Sequence, residues 1–189
     1  MAKPVKILGI VGSLRKGSYN KSLMRIATNL LPESAEIEVF DLAGIPLFNQ
    51  DVLDVQPPKK VKEFKAKIRK ADAILIASPE YNYSIPGVLK NAIDWASRPP
   101  EDNAFDAKPV AIMSASTGRL GGARMQYHLR QTFVFVNMYP LNRPEFMLSN
   151  ANEHFDEDGN LKDEETRQRI RELLTALVQW TGKMKKKQA

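Results

Sequence analysis

Short apolar runs alternate along the chain with segments whose apolar residues recur at helical spacing. Val5 to Val11, Ala73 to Ala77 and Val110 to Met113 are runs of four to seven residues, each ending at a small or turn-forming residue. Runs of that length and composition predict strands buried on both faces of a parallel sheet. In Glu36 to Phe40, Ile37 and Val39 alternate with acids, which predicts a half-exposed edge strand. A fifth strand is expected within Met138 to Leu148, where Pro140 and Pro144 imply an interrupted or edge position.

Between the strands fall helical stripes: Leu23, Ala27, Leu30 and Leu31; Val61, Phe64 and Ile68 after Pro57-Pro58; Val88, Leu89, Ala92, Ile93 and Ala96; and Met125, Leu129, Phe133 and Val136 after Gly121-Gly122. Ser84 with Pro86 predicts the start of the third stripe, serine as cap and proline in the first turn. The last stripe, Thr166, Ile170, Leu173, Leu174, Leu177, Val178 and Thr181, follows a turn at Asp158-Gly159-Asn160 and is expected to end near Gly182. Alternation of this kind defines an α/β domain, a doubly wound three-layer sandwich. With an edge second strand, the five-stranded parallel sheet takes the order 2-1-3-4-5. We read residues 1–182 as one domain and residues 183–189 as a basic tail. Ligands of such sheets bind beyond the carboxyl ends of strands, at the switch between strands 1 and 3.

Composition narrows the chemistry. The 189 residues contain no cysteine, which excludes thiol nucleophiles, CxxC redox chemistry and thiolate-held metal centres. A redox role must use a borrowed cofactor. The net charge of +6 would ordinarily suggest a polyanionic partner. Four lysines lie in the last seven residues, however, and without them 24 bases face 22 acids. Residues 59–70 carry net +6 and residues 153–165 net −6, so their charges cancel. No nucleic-acid or membrane partner is expected. The opening MAKPVKILGIVGS reads as a strand and not a signal peptide, which points to the cytoplasm.

Three loops follow the buried strands. Gly12-Ser13-Leu14-Arg15-Lys16-Gly17-Ser18-Tyr19-Asn20 opens a helix, and a helix N-terminus with serine, asparagine and arginine side chains is a natural phosphate seat. The alternative is that Ser18 or Asn20 merely caps the helix. The Gly12-x4-Gly17 spacing is that of a Walker A loop, but Ser18 replaces its lysine, and no G-x-G-x-x-G fingerprint exists. The second loop, Ser78 to Gly87, offers Tyr81, Asn82 and Tyr83 between prolines, suited to the face and edge of a heteroaromatic ring. The third, Ser114 to Gly122, is glycine-rich and would let its backbone approach a ligand. Together they describe a mononucleotide crevice.

The strings GSLRKGSYN, PEYNYSIPGVLKNAIDWASRP and SASTGRLGGAR resemble the NADPH-dependent FMN reductase family of flavodoxin-like proteins, which includes quinone, chromate and azo-dye reductases. The resemblance covers about residues 5–148. It implies that Ser13, Arg15, Ser18, Tyr19 and Asn20 hold the FMN phosphate, with the backbone of Lys21 and Ser22 as additions. Pro79, Glu80, Tyr81, Asn82 and Tyr83 would line the isoalloxazine, with Ser116, Thr117 and Gly118 on its other side and Arg119 nearby. It further implies hydride transfer from NADPH or NADH to FMN and onward to a small acceptor: flavin, quinone, metal ion or azo compound. Homodimers or homotetramers are implied, making Trp95, Met125 and Phe135 interface candidates. No catalytic side chain is required, since the cofactor does the hard chemistry. His128, His154 and the acids at 156–158 lack metal-ligand spacing and read as structural or surface residues. The other readings are a flavodoxin-type electron carrier without nicotinamide reactivity, disfavoured by the basic charge, and a noncatalytic domain, disfavoured by the intact loops.

Overall fold

A computed structural model describes residues 3–188. Met1 and Ala2, which open the segment read as a strand, and Ala189, the end of the expected tail, lie outside the described residues, as do the side chains of Lys187 and Gln188. The strands are β1 (Val5–Val11), β2 (Ala35–Phe40), β3 (Ala73–Ala77), β4 (Pro109–Ala115), β5 (Tyr139–Pro140) and β6 (Phe146–Leu148). The helices are α1 (Tyr19–Asn29), α2 (Gln50–Val55), α3 (Lys59–Lys70), α4 (Gly87–Ala96), α5 (Ala123–Phe135), α6 (Ala151–His154) and α7 (Glu164–Gln188). The sheet order is β2-β1-β3-β4-β5, as the pattern predicts, every pairing is parallel, and β6 also pairs with β4.

The expected fifth strand is two pieces. Tyr139 and Pro140 pair with Pro109 and Val110 at the amino end of β4, and Phe146 to Leu148 pair with Met113 to Ala115 at its carboxyl end. The chain leaves the ladder between them, at the stretch flanked by Pro140 and Pro144, residues that cannot donate to it.

Each buried strand feeds two cores by strict alternation. Ala73, Leu75, Ala77, Ala111, Met113 and Ala115 pack with α1 and α7, and Ile74, Ile76, Val110 and Ile112 pack with α3, α4 and α5. A period of two on strands buried on both sides leaves no polar face to read, which is why these segments appear in sequence as continuous apolar runs. β2 is the exposed edge, with Val39 47% accessible.

Three boundaries differ from expectation. α7 continues past Gly182 to Gln188, because Met184 is buried and Lys185 reaches Asp72 at 2.6 Å, so packing carries the helix another turn. α4 starts after Pro86, not at Ser84; Ser84 sits in a hairpin turn and its hydroxyl meets His128 Nδ1 at 3.1 Å. α2 was not expected: none of its residues is buried, so it leaves no apolar period, and it is held at its start by Asn49 accepting the Asp51 N–H.

The acidic stretch before α7 is a docked turn. Arg25 Nη2 donates to the Gly159 carbonyl at 2.9 Å, and Asp163 Oδ1 accepts the Thr166 N–H at 2.7 Å, capping α7. Partial burial opposes ionisation of Asp163, but hydrogen bonds from Thr166 and His154 outweigh it and hold the carboxyl at about 2, below its ordinary 3.8. Asp163→Ala is expected to cost about 1 kcal/mol at neutral pH. The folded pKa lies below the unfolded one, so this stabilisation is present above about pH 4 and is lost as pH falls toward 2. Urea midpoints of the two proteins should therefore differ at pH 7 and converge in acid; a gap that persists at pH 2 would contradict the assignment.

Candidate functional site

The three loops spring from strand ends held in register by bonds that extend the ladders. Gly12 N–H donates to Ala77 O at 2.9 Å, Ser78 N–H to Met113 O at 3.1 Å and Ser116 N–H to Leu148 O at 3.0 Å. Gly12 must be glycine, since a Cβ there would lie 2.4 Å from Ser78 Oγ, and Ser78 is fully buried. Loops one and two are thereby set side by side at the β1/β3 switch.

Their residues enclose a cavity of about 180 Å³ lined by Ser13, Arg15, Ser18, Tyr19, Asn20, Pro79, Glu80, Tyr81, Ala115, Ser116 and Thr117. Of the residues expected to hold a ligand, Asn82, Tyr83 and Gly118 lie outside this lining. Pockets that bury most of a drug-sized ligand run from roughly 300 Å³ upward. The cavity therefore has room for one end of a mononucleotide, and Tyr81 and Tyr83 of the second loop are exposed. A larger cavity of about 280 Å³ between β1, β2 and α3 is lined by Lys6, Glu36, Glu38, Lys67 and their neighbours. It sits away from the carboxyl ends of the strands and brings together none of the three loops.

The donor set fits a phosphate. Ser13 is buried and has no protein hydrogen-bond partner among the described residues. Ser18 occupies the N-cap position of α1 but its hydroxyl makes no cap bond, so the capping alternative does not account for it. The N–H groups of Tyr19 and Asn20, which open α1, have no protein acceptor among the described residues, and no acid lies in the first turn. Arg15 is exposed and unpaired among the described residues. Unpaired donors at a helix start, with one free guanidinium, are the elements of an anion seat. Lys21 and Ser22 are not part of it, because their N–H groups are taken by the Ser18 carbonyl at 2.9 and 3.1 Å.

Glu80 is the one carboxylate lining the cavity, and it is occupied elsewhere. Its side chain is 7% exposed; Oε1 accepts from Arg124 Nε at 2.6 Å and Oε2 from the Met125 N–H at 3.1 Å. The carboxylate thus neutralises Arg124 and satisfies the start of α5, where Gly122 offers no side-chain cap. The same Arg124 lies 3.4 Å from the Tyr83 ring centroid, a cation–π contact. Asn82 and Tyr83, at φ 49° and 66°, form a two-residue turn closed by reciprocal Tyr81 and Ser84 backbone bonds. Non-glycine residues in that conformation are costly, and the Glu80–Arg124–Tyr83 contacts offset the cost.

The third loop departs from expectation. Gly121 and Gly122, at φ 58° and 90°, give close approach not to the cavity but to the protein itself: a Cβ on Gly121 would meet Leu148 backbone at 3.0 Å, and one on Gly122 would meet Ser114 at 2.9 Å. Their loop is tied by Ser114 Oγ donating to Gly121 O at 2.6 Å, with Gln126 Nε2 donating to Ser114 Oγ at 2.8 Å. Ser114, Gln126 and Arg124 were not anticipated as parts of the site. Gln126 was legible in principle, as a polar residue three positions before Leu129 on an apolar stripe. Of the interface candidates, Trp95 and Met125 are fully buried core residues, and only Phe135 is exposed, at 72%.

Among the described residues no cluster of His, Cys, Asp or Glu is placed to hold a metal, and no helix is long and apolar enough to cross a membrane. A flavodoxin-like fold with an anion seat at the start of α1 is the arrangement of a mononucleotide-binding protein. Residues 5–153 match the family model for NADPH-dependent FMN reductase. An NAD(P)H-dependent FMN reductase of Pseudomonas aeruginosa is 52% identical over 185 residues, covering 98% of this chain and all of that protein. An NAD(P)H:quinone oxidoreductase of Solanum tuberosum is 49% identical, with 98% of each chain covered. Among solved structures, the flavoenzyme NAD(P)H:(acceptor) oxidoreductase FerB from Paracoccus denitrificans superposes with TM-score 0.87 at 34% identity, covering 95% of this chain and 98% of that one. The chain belongs to the NADPH-dependent FMN reductase family and is an oxidoreductase working with FMN and NAD(P)H.

Proposed function

We propose that the enzyme reduces small quinones at the expense of NADPH or NADH, with free flavin as a poorer acceptor. The observation that carries this reading is the convergence of three loops on one cavity, in which Ser13, Arg15 and the N–H groups of Tyr19 and Asn20 have no protein partner among the described residues. The quinone preference rests on relatives named as quinone reductases or quinone oxidoreductases at 38 to 49% identity. Bound FMN would supply the redox chemistry, accepting hydride from the nicotinamide and delivering electrons to the acceptor.

The chain's own groups bind and orient. Ser13, Arg15, Ser18 and the N–H groups of Tyr19 and Asn20 hold the phosphate. Pro79, Glu80 and Tyr81 would hold the ring together with Ser116 and Thr117, while Asn82, Tyr83 and Gly118 complete the loops outside the cavity. Glu80 contributes through its backbone and through locking Arg124, not as a proton donor. We further infer a cytoplasmic homodimer or homotetramer in which the exposed Phe135 is covered.

Steady-state oxidation of NADPH with a benzoquinone, free FMN and an azo dye as acceptors tests the preference. The quinone should give the highest kcat/KM; a higher value for either of the others would overturn it. Light scattering of the same sample should return a mass of two or four chains of 21.3 kDa.

A further inference from the structure

The two walls of the cavity are far apart in sequence and are joined by one buried side chain. Asn20 is 2% exposed. Its Nδ2 donates to the Ala115 carbonyl at 2.9 Å and its Oδ1 accepts the Ala115 N–H at 3.0 Å, so the amide pairs with β4 as a neighbouring strand would. The orientation is fixed, since a flipped amide would set oxygen against oxygen and N–H against N–H. On the opposite face of the same strand end, Gln126 holds Ser114, and Ser114 holds Gly121. Gly121 N–H donates to Gly118 O at 3.2 Å, and Gly118 N–H to Ser116 Oγ at 3.1 Å, which carries the chain of bonds to the cavity wall. α1, which carries Asn20, and α5, which carries Gln126, pack on opposite faces of the sheet, so the tip of β4 is tied to both layers.

Resting on the FMN reading above, we propose that Asn20 is a positioning residue and not a phosphate ligand: its side chain, together with Ser114 on the other face, fixes the third loop at its distance from the phosphate seat. A side chain with donor and acceptor already bonded to buried backbone is preorganised as a strut, and its loss leaves two buried backbone groups unpaired. The residue's contribution to the anion is its main-chain N–H, which substitution leaves in place.

A phosphate ligand and a strut differ in their effect on a ligand that lacks the phosphate. Dissociation constants for FMN and for riboflavin are to be measured by flavin fluorescence on wild type, Asn20→Ala, Asn20→Ser, Ser114→Ala and Arg15→Ala. Asn20→Ala should weaken both flavins by one common factor, on the order of tenfold, and Ser114→Ala should weaken both equally by less. Arg15→Ala should weaken FMN alone. If Asn20→Ala fails to fold, Asn20→Ser reads the same ratio. A selective loss of FMN affinity in the Asn20 variants, or no loss of either, would overturn the proposal. A wild type that binds neither flavin would overturn the FMN reading itself, and this inference with it.

Discussion

Replacing Arg15 with alanine is expected to raise the FMN dissociation constant by about one to two orders of magnitude while leaving the melting temperature of the flavin-free protein unchanged. Arg15 lines the cavity and has no hydrogen-bond or acidic partner among the described residues, so the folded protein loses no ion pair or hydrogen bond when it is removed. A charge-assisted hydrogen bond to phosphate contributes roughly 1.5 to 3 kcal/mol, and each 1.4 kcal/mol is tenfold in affinity. The loss should shrink as salt is raised, because the guanidinium is solvent-exposed. Fluorescence titration of the two proteins at low and moderate ionic strength measures it. Equal affinity would remove Arg15 from the phosphate seat.

Trp95→Ala is expected to destabilise the fold by about 3 to 5 kcal/mol, the usual cost of emptying a large aromatic site. The Trp95 side chain is fully buried, packs edge-on against Phe48 at a centroid distance of 5.0 Å and donates Nε1 to the Pro46 carbonyl at 2.8 Å. It therefore ties the segment before α2 to α4. Phe135→Ala should change stability of the monomer by no more than about 0.5 kcal/mol, as an exposed substitution does. Chemical denaturation of both variants decides between the core and interface roles that the sequence left open for these residues. A small loss for Trp95→Ala would return it to the surface.

The order of the sheet and the positions of the three loops were legible because they follow from periodicity alone. Ile74 and Leu75 are both buried, as adjacent residues of a short strand covered on two faces are. The loops were legible because Ser13, Arg15 and Tyr81 are residue types with few structural reasons to cluster at strand ends. What could not be read was how polar side chains distribute between ligand and protein. Asn20, Glu80 and the glycines at 121 and 122 all looked like ligand contacts by position. The structure commits them to Ala115, to Arg124 and to the approach of Leu148 and Ser114. The bonds of Asn20 and Glu80 and the approach of Gly121 to Leu148 join residues 95, 44 and 27 positions apart, and no local pattern encodes such distances. α2 stayed invisible for the opposite reason, because a helix that buries nothing has no stripe.

The most direct test of the function proposed above, in which the three loops hold FMN where a nicotinamide can reduce it, is to saturate the purified protein with FMN, remove oxygen and mix it with NADPH and, separately, with NADH while following the yellow flavin absorbance. Rapid bleaching by at least one of the two is expected, with return of the colour when a benzoquinone is added. A yellow protein that neither nucleotide bleaches would be an electron carrier and would contradict it.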